Sequence, residues 1–431
     1  MHIFVKNNYT GLTLPTKNYI ITSKDRRDTM KKTISLLLCA LLVCSFASLS
    51  VTAQDETYTN VILMIGDGMG ENHLQLAKQE RGISLFMEEE CDLHGGSKTR
   101  SFSSSVTDSA AGGTALACGV RTNNGCVAVY PYDILGLFSV PRSLTEAAKL
   151  SGRAAGVITT DSNDGATPAS FTAHTSARGN SKDICTQQVT SDFDLIWGAS
   201  SDDFDESLAK ENGFTVIRTK SEMDALEKGG RSFAQFNYGE TWKTATSPDS
   251  DAPTLSQMTA KAISQLENDN GFFLMVEGAH IDKFSHRSNG SDSYDTKVAG
   301  AAEAVEEFDN AVETAVQFAR ADGHTLVVVT ADHETGGITC IDGTYTYTKT
   351  SHTGTDVPLL VFGSDDLIKD GEHIENRQVA RRIGAKMGLR ADLFPVKDGG
   401  KISAFWDRVC AWFQKLLDRI PAKYITTITT K

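Results

Sequence analysis

The stretch Val106-Thr107-Asp108-Ser109-Ala110-Ala111-Gly112-Gly113-Thr114-Ala115 sets a hydroxyl behind a carboxylate, at the start of a small-residue segment that reads as a helix. A helix N-terminus offers unpaired N–H groups and a partial positive charge, so an anion can sit there. By itself Ser109 reads either as an N-cap, since Ser and Asp are favoured caps, or as a nucleophile. Metal-capable side chains recur in short polar segments elsewhere: Asp67, Glu277, Asp282, His286, Asp332, His333 and His352. Asp282 and His286 are four apart, a spacing that puts both on one face of a helical turn. Asp332 and His333 are adjacent and converge only in an irregular loop. A lone Asp-His pair is usually structural, but several such groups, each just after a strand, point to a site. Imidazole mixed with carboxylate suits zinc, and carboxylate with hydroxyl suits magnesium.

Elements that can hold these groups are legible around them. Val61–Ile65, Ala154–Thr160, Phe272–Val276 and Leu326–Thr330 are apolar runs that read as buried strands, each ending in a polar or glycine-rich turn. Helical patterns fall between them, clearest over Val298–Ala321 with its Ala/Val/Phe stripe and acidic outer face. Strands alternating with helices predict an α/β fold around a mostly parallel sheet, with ligands bound beyond the carboxyl ends of the strands. From about Ser181 the pattern weakens, and 181–257 reads as a peripheral insert. The tail, 401–431, carries Phe405, Trp406, Val409, Trp412, Phe413, Leu416, Leu417 and Ile420 on one helical face.

Residues 1–53 read as an extension plus export signal. Lys31 and Lys32 precede an apolar run from about Ile34 to Val51, and Val51-Thr52-Ala53 suits cleavage before Gln54. Met30 is an alternative start. The prediction is a secreted or cell-envelope protein, with membrane contact only through an uncleaved signal or the tail helix. At 431 residues, 40% hydrophobic and 23% charged, the remainder, 54–400, is long enough for one large catalytic domain. A net charge of −13 with no basic tract argues against nucleic acid as a partner. Of eight cysteines, two lie in the signal; Cys118 and Cys126 are close enough in sequence to pair, but spacing cannot choose among pairings.

The segments Asn60-Val-Ile-Leu-Met-Ile-Gly-Asp67-Gly-Met-Gly70, Val106-Thr-Asp-Ser109-Ala-Ala, Ala166-Thr167-Pro168-Ala169, Met275-Val-Glu277-Gly-Ala-His-Ile-Asp282-Lys283, Thr330-Ala-Asp332-His333-Glu-Thr-Gly-Gly337 and Ser351-His352-Thr353-Gly354 resemble the signature blocks of alkaline phosphatases, in the family's order. The resemblance implies a three-layer α/β sandwich and hydrolysis of phosphate monoesters through a phosphoserine at Ser109. It implies one zinc on Asp282, His286 and His352, a second on Asp67, Asp332 and His333, and a magnesium on Asp67, Thr167 and Glu277. Arg178 matches the arginine that grips phosphate, and Lys283 would contact phosphate through water. A homodimer is left open.

Such a set is chemically coherent. Two metals about 4 Å apart clamp both oxygens of an in-line displacement. Bare dications at that distance repel by roughly 16 kcal/mol at an effective dielectric near 20, so anionic ligands must offset them. Arg178 brings a planar fork of donors that lysine lacks. Two alternatives stay open: a phosphodiesterase or sulfatase of the same superfamily, and a non-catalytic binder on the same fold. No C-x-P-x-R sulfatase signature is present. Two departures from the family pattern are visible. Gly165 stands where the family commonly has Asp or His, so either Asp164, one step back, reaches the magnesium waters after a local shift or the outer shell is weaker, and the connection from Gly337 to His352 is short where many relatives carry a large crown insert.

Overall fold

Val61, Ile62, Leu63, Met64 and Ile65 are all fully buried, so this segment is apolar on both faces rather than alternating. Strands of that kind lie in parallel sheets covered by helices on each side. The computed structural model describes residues 57–131, 140–237, 251–286 and 294–396. The export signal expected over 1–53 and the tail helix expected over 401–431 lie outside the described residues. Among the described residues, no helix is long and apolar enough to cross a membrane.

The strands in chain order are β1 (Asn60–Gly66), β2 (Leu93–Lys98), β3 (Ala154–Ser162), β4 (Leu195–Ala199), β5 (Thr215–Ile217), β6 (Ser232–Ala234), β7 (Phe272–Gly278) and β8 (Thr325–Thr330). Then come the short β9 (Glu334–Thr335), β10 (Ile338–Ile341), β11 (Thr344–Tyr347) and β12 (His352–Thr353), followed by β13 (Val357–Phe362) and β14 (His373–Glu375). Ten of them form one sheet in the order β14-β2-β13-β8-β1-β7-β3-β4-β6-β5. Only β13 runs against the others, pairing antiparallel with both β8 and β2. β10 pairs with β11, and β12 with β9, as small antiparallel ribbons outside the sheet.

The pleat divides the strand residues between two cores. Val61, Leu63, Ile65, Phe273, Met275, Leu326 and Val328 feed one core, with helices Ser109–Cys118, Leu144–Leu150, Ala166–Thr172 and Asn376–Lys386. Ile62, Met64, Phe272, Leu274, Val276, Val327 and Val329 feed the other, with helices Glu71–Arg81, Leu255–Leu266 and Tyr294–Asp322. The molecule is therefore a three-layer sandwich about a mostly parallel sheet. Helix starts follow local chemistry: Ser143 with Glu146, and Thr254 with Gln257, form reciprocal capping boxes.

The stretch 181–257, read in sequence as an insert at the periphery, contributes β4, β6 and β5 to one end of the main sheet. These strands are short, and their sequence signal is correspondingly weak. Among the described residues Cys91, Cys118, Cys126, Cys185 and Cys340 are free thiols, so Cys118 and Cys126 are not paired.

Candidate metal centre and nucleophile

Four adjacent parallel strands deliver their carboxyl ends to one place. Ile65 on β1 stands level with Glu277 on β7 and Thr330 on β8, and Thr159 on β3 is level with Glu277. Asp67 follows β1, Asp332 and His333 follow β8, and β7 runs into helix His280–Ser285, which carries Asp282 and has His286 at its C-cap. His352 arrives on β12, paired with Thr335 on β9. Gly68 makes the turn after β1 possible: its φ is +73°, and a Cβ there would lie 2.9 Å from the Asp282 backbone.

The two readings of Ser109 separate here. Asp108, not Ser109, is the N-cap: its Oδ1 accepts from the Ala111 amide at 3.0 Å. The Ser109 hydroxyl is left for other work, buried and 3.1 Å from His333 Nε2. All ten residues of helix Ser109–Cys118 are buried, and its small side chains let it pack closely. At Gly112 a Cβ would sit only 2.7 Å from the Asp332 carbonyl oxygen.

The imidazoles are oriented from behind. His286 Nδ1 donates to the Thr350 carbonyl at 2.8 Å, and His352 Nδ1 donates to the Thr107 carbonyl at 3.0 Å. A carbonyl oxygen only accepts, so each neutral ring carries its proton on Nδ1 and presents an Nε2 lone pair inward. Those two Nε2 atoms face each other at 2.9 Å. Two lone pairs at that distance repel unless a proton or cation lies between them. Asp282 Oδ1 is 3.3 Å from His286 Nε2 and 3.6 Å from His352 Nε2. Thr335 fixes it by donating to the same oxygen at 2.5 Å.

Ligand-capable atoms of Asp282, His286 and His352 lie within 4.8 Å of one another, as do those of Asp67, Asp282 and His333. Asp282 thus stands between the two groups. Asp332 adjoins the second, with Oδ2 3.2 Å from His333 Nε2, while its Oδ1 accepts from the amides of Gly68 and His333. Among the buried side-chain oxygens without a hydrogen-bond partner are Asp67 Oδ1, Asp332 Oδ2 and Glu277 Oε1, at the ends of β1, β8 and β7, and Thr167 Oγ1 in helix Ala166–Thr172. Unpartnered carboxylate oxygens at adjacent strand ends fit a cation-binding donor set.

Electrostatics point the same way. Burial, then repulsion from Asp332, Asp282 and Glu277, pushes the Asp67 carboxyl well above its usual range. Burial and then Asp161 push Glu277 up to about 8, and burial and then Asp282 push Asp332 up to about 7. Burial and then the neighbouring His352 hold His333 well below the usual histidine range. Burial alone would raise Asp282, yet its hydrogen bond with His286 and the charges of His333 and His286 hold it down. Carboxylates crowded this closely stay ionised at neutral pH only beside positive charge.

Arg178 reaches the same region: its guanidinium Nη1 lies 3.4 Å from Asp108 Oδ2, and its backbone amide donates to the Gly125 carbonyl at 2.7 Å. Its side chain is nearly half exposed. Lys283 pairs with Asp161 at 2.8 Å. A residue passed over in sequence, Asp161, therefore stands beside the set. Only its place at the end of β3, beside the departure at Gly165, could have flagged it.

A profile described as alkaline phosphatase matches residues 58–198 and 198–380. The chain belongs to the alkaline phosphatase family. Alkaline phosphatase 4 of Bacillus subtilis is 35% identical over 312 residues, covering 67% of this chain and 64% of that protein. Alkaline phosphatase H of Pseudomonas aeruginosa is 31% identical over 343 residues, 64% of this chain and 69% of that protein. The structure of alkaline phosphatase from the Antarctic bacterium TAB5 superposes with a TM-score of 0.65 at 29% identity, covering 78% of this chain and all of that one. This chain spans just under two thirds, 64% and 65%, of the two Bacillus subtilis relatives, alkaline phosphatases 4 and 3.

Proposed function

We propose that this protein hydrolyses phosphate monoesters through a phosphoserine on Ser109, releasing an alcohol and then inorganic phosphate. The observation that carries the reading is the buried Ser109 hydroxyl, released from capping by Asp108 and 3.1 Å from His333 Nε2 at the edge of the ligand set. Asp282, His286 and His352 would hold one zinc; Asp67, Asp332 and His333 a second; and Asp67, Thr167 and Glu277 a magnesium. When bound, these ions supply Lewis-acid stabilisation of the attacking and leaving oxygens.

The protein's own groups do the rest. Ser109 Oγ gives up its proton to solvent and bonds to phosphorus as the ester P–O bond breaks, the electron pair leaving on the alcohol oxygen, which takes a proton from solvent. Water then loses a proton and attacks the same phosphorus, the Oγ–P bond breaks, and Ser109 Oγ regains a proton to restore the hydroxyl. The positive end of helix Ser109–Cys118 favours the anion at its first residue. Arg178 offers two parallel donors to phosphoryl oxygens, steered by its pairing with Asp108. Thr335 and the carbonyls of Thr107 and Thr350 keep the ligands aimed while charge moves.

Purified protein is assayed on mono- and diesters alongside metal analysis. Monoester turnover with about two zinc equivalents supports the reading; no monoester turnover after zinc and magnesium are restored refutes it. Ser109→Ala lowers turnover by about three orders of magnitude or more while phosphate binding persists. We also read 54–400 as the catalytic domain of a protein exported to the cell envelope or beyond, which fractionation of expressing cells tests.

A further inference from the structure

We propose that Asp161 is the positioning residue that closes the outer side of the Asp67–Thr167–Glu277 site, with Lys283 held against it. The proposal rests on the magnesium reading of that site. Gly165, two residues before Thr167, has no side chain to serve there, and the structure shows what uses the space. A Cβ built on Gly165 would lie 2.6 Å from Asp161 Oδ2 and 3.0 Å from its Cγ. The Asp161 carboxylate stands where a longer side chain at 165 would begin. Asp164, the nearer substitute in sequence, is not the residue that fills it.

The backbone makes room for this. Pairing of β3 with β4 slips in register between Ile158 and Ser162, as at a bulge that re-aims a side chain. Asp161 is then fixed from three sides. Its amide donates to Thr159 Oγ1 at 2.8 Å, its Oδ1 accepts from the Ser162 amide at 2.8 Å, and the same oxygen meets Lys283 Nζ at 2.8 Å. The Thr159 hydroxyl in turn donates to Glu277 Oε2, leaving Glu277 Oε1 as the unpartnered atom of the site. One chain of hydrogen bonds thus links Asp161 to the inner carboxylate. The charges agree: Asp161 acts on Glu277 second only to burial, and Lys283 acts on both Glu277 and Asp67.

Magnesium keeps several of its waters, so a site with few protein ligands needs acceptors for those waters. Asp161 Oδ2 is such an acceptor, and holding retained waters favours the strongly hydrated magnesium over zinc. Pairing with Asp161 also restrains Lys283 at the rim, where its charge reaches substrate phosphate through water.

Magnesium binding to the zinc-loaded protein is measured by calorimetry and by metal content after equilibration with mixed zinc and magnesium. Asp161→Ala and the isosteric Asp161→Asn are expected to weaken magnesium about 10- to 100-fold and let zinc compete for the third position. Adding Gly165→Asp to Asp161→Ala restores most of the affinity, because the new carboxylate enters the vacated space. Gly165→Asp alone does worse than the wild type, because two carboxylates collide. Magnesium affinity unchanged in both Asp161 variants overturns the proposal. Glu277→Gln separates the two readings. If it abolishes magnesium binding while the Asp161 variants do not, only Asp161 falls; if it too leaves binding intact, the magnesium site itself is misassigned.

Discussion

Removing cations should make stability fall as pH rises. Glu277 is pushed up to about 8 and Asp332 up to about 7, with Asp67 also well above its usual range. A carboxyl whose folded pKa exceeds its unfolded value favours folding while protonated, and that advantage is lost as pH rises toward the folded value. His286 and His174 are raised, by hydrogen bonds to Asp282 and, against burial, to Glu146, and act in the same direction. The buried His333 and His73 are held down, His73 to about 3, so their opposing effect builds up mostly below the ordinary histidine pKa of about 6.5 and only a small remainder lies above it. Between pH 6.5 and 8, then, the raised groups outweigh the lowered ones, and the chelated protein loses stability as pH rises. Asp332 repels Glu277, so one proton, not two, is counted over this window. At 1.36 kcal/mol per pH unit it amounts to about 2 kcal/mol. Unfolding entropy of about 2 cal/mol/K per residue over more than 300 residues converts this to a fall of about 3 °C in Tm. Zinc and magnesium bound as proposed would keep the same carboxylates ionised, so the loaded protein should show no such fall. Calorimetric melts at pH 6.5, 7.2 and 8.0, with chelator and with both metals, make the comparison. Equal pH slopes in the two series, or a chelated Tm that rises with pH, would refute the reasoning.

Two further outcomes are expected. Arg178→Lys keeps the charge but loses the planar fork, and kcat/KM for monoesters should fall about 10- to 100-fold, or about 1.4 to 2.8 kcal/mol, with Tm unchanged because the side chain is nearly half exposed. Gly112→Ala adds a methyl 2.7 Å from the Asp332 carbonyl, and metal analysis should show reduced zinc occupancy at a Tm within a few degrees of wild type, a shift on the scale of about 1 kcal/mol.

Much of the scaffold was legible because buried parallel strands declare themselves as unbroken apolar runs. Val61–Ile65, Ala154–Thr160, Phe272–Val276 and Leu326–Thr330 all lie within observed strands, and the long helix extends the expected Val298–Ala321 to Tyr294–Asp322. The strands within 181–257 were hidden because β5 and β6 are three residues each, too short to show a period. At the site, residue types and order named Asp67, Asp282, His286, Asp332, His333 and His352, which the structure places close together. Sequence could not assign the capping role to Asp108 over Ser109, because both are good caps and only the hydrogen bond to Ala111 decides. Asp161 escaped notice for a different reason. A register slip in β3 redirects it, and no pattern of residue types records a slip of backbone.

The serine rides on the helix layer on one face of the sheet, while Asp282 and His286 ride on a turn packed into the opposite layer, where Ile281 joins the second core. His333 follows β8, so the 3.1 Å approach of Ser109 to His333 is a gauge of how the serine's layer seats on the strands. A distant core substitution that shifts that layer by a few tenths of an ångström, as rigid interiors transmit, would detune the proposed nucleophile without replacing any residue of the centre.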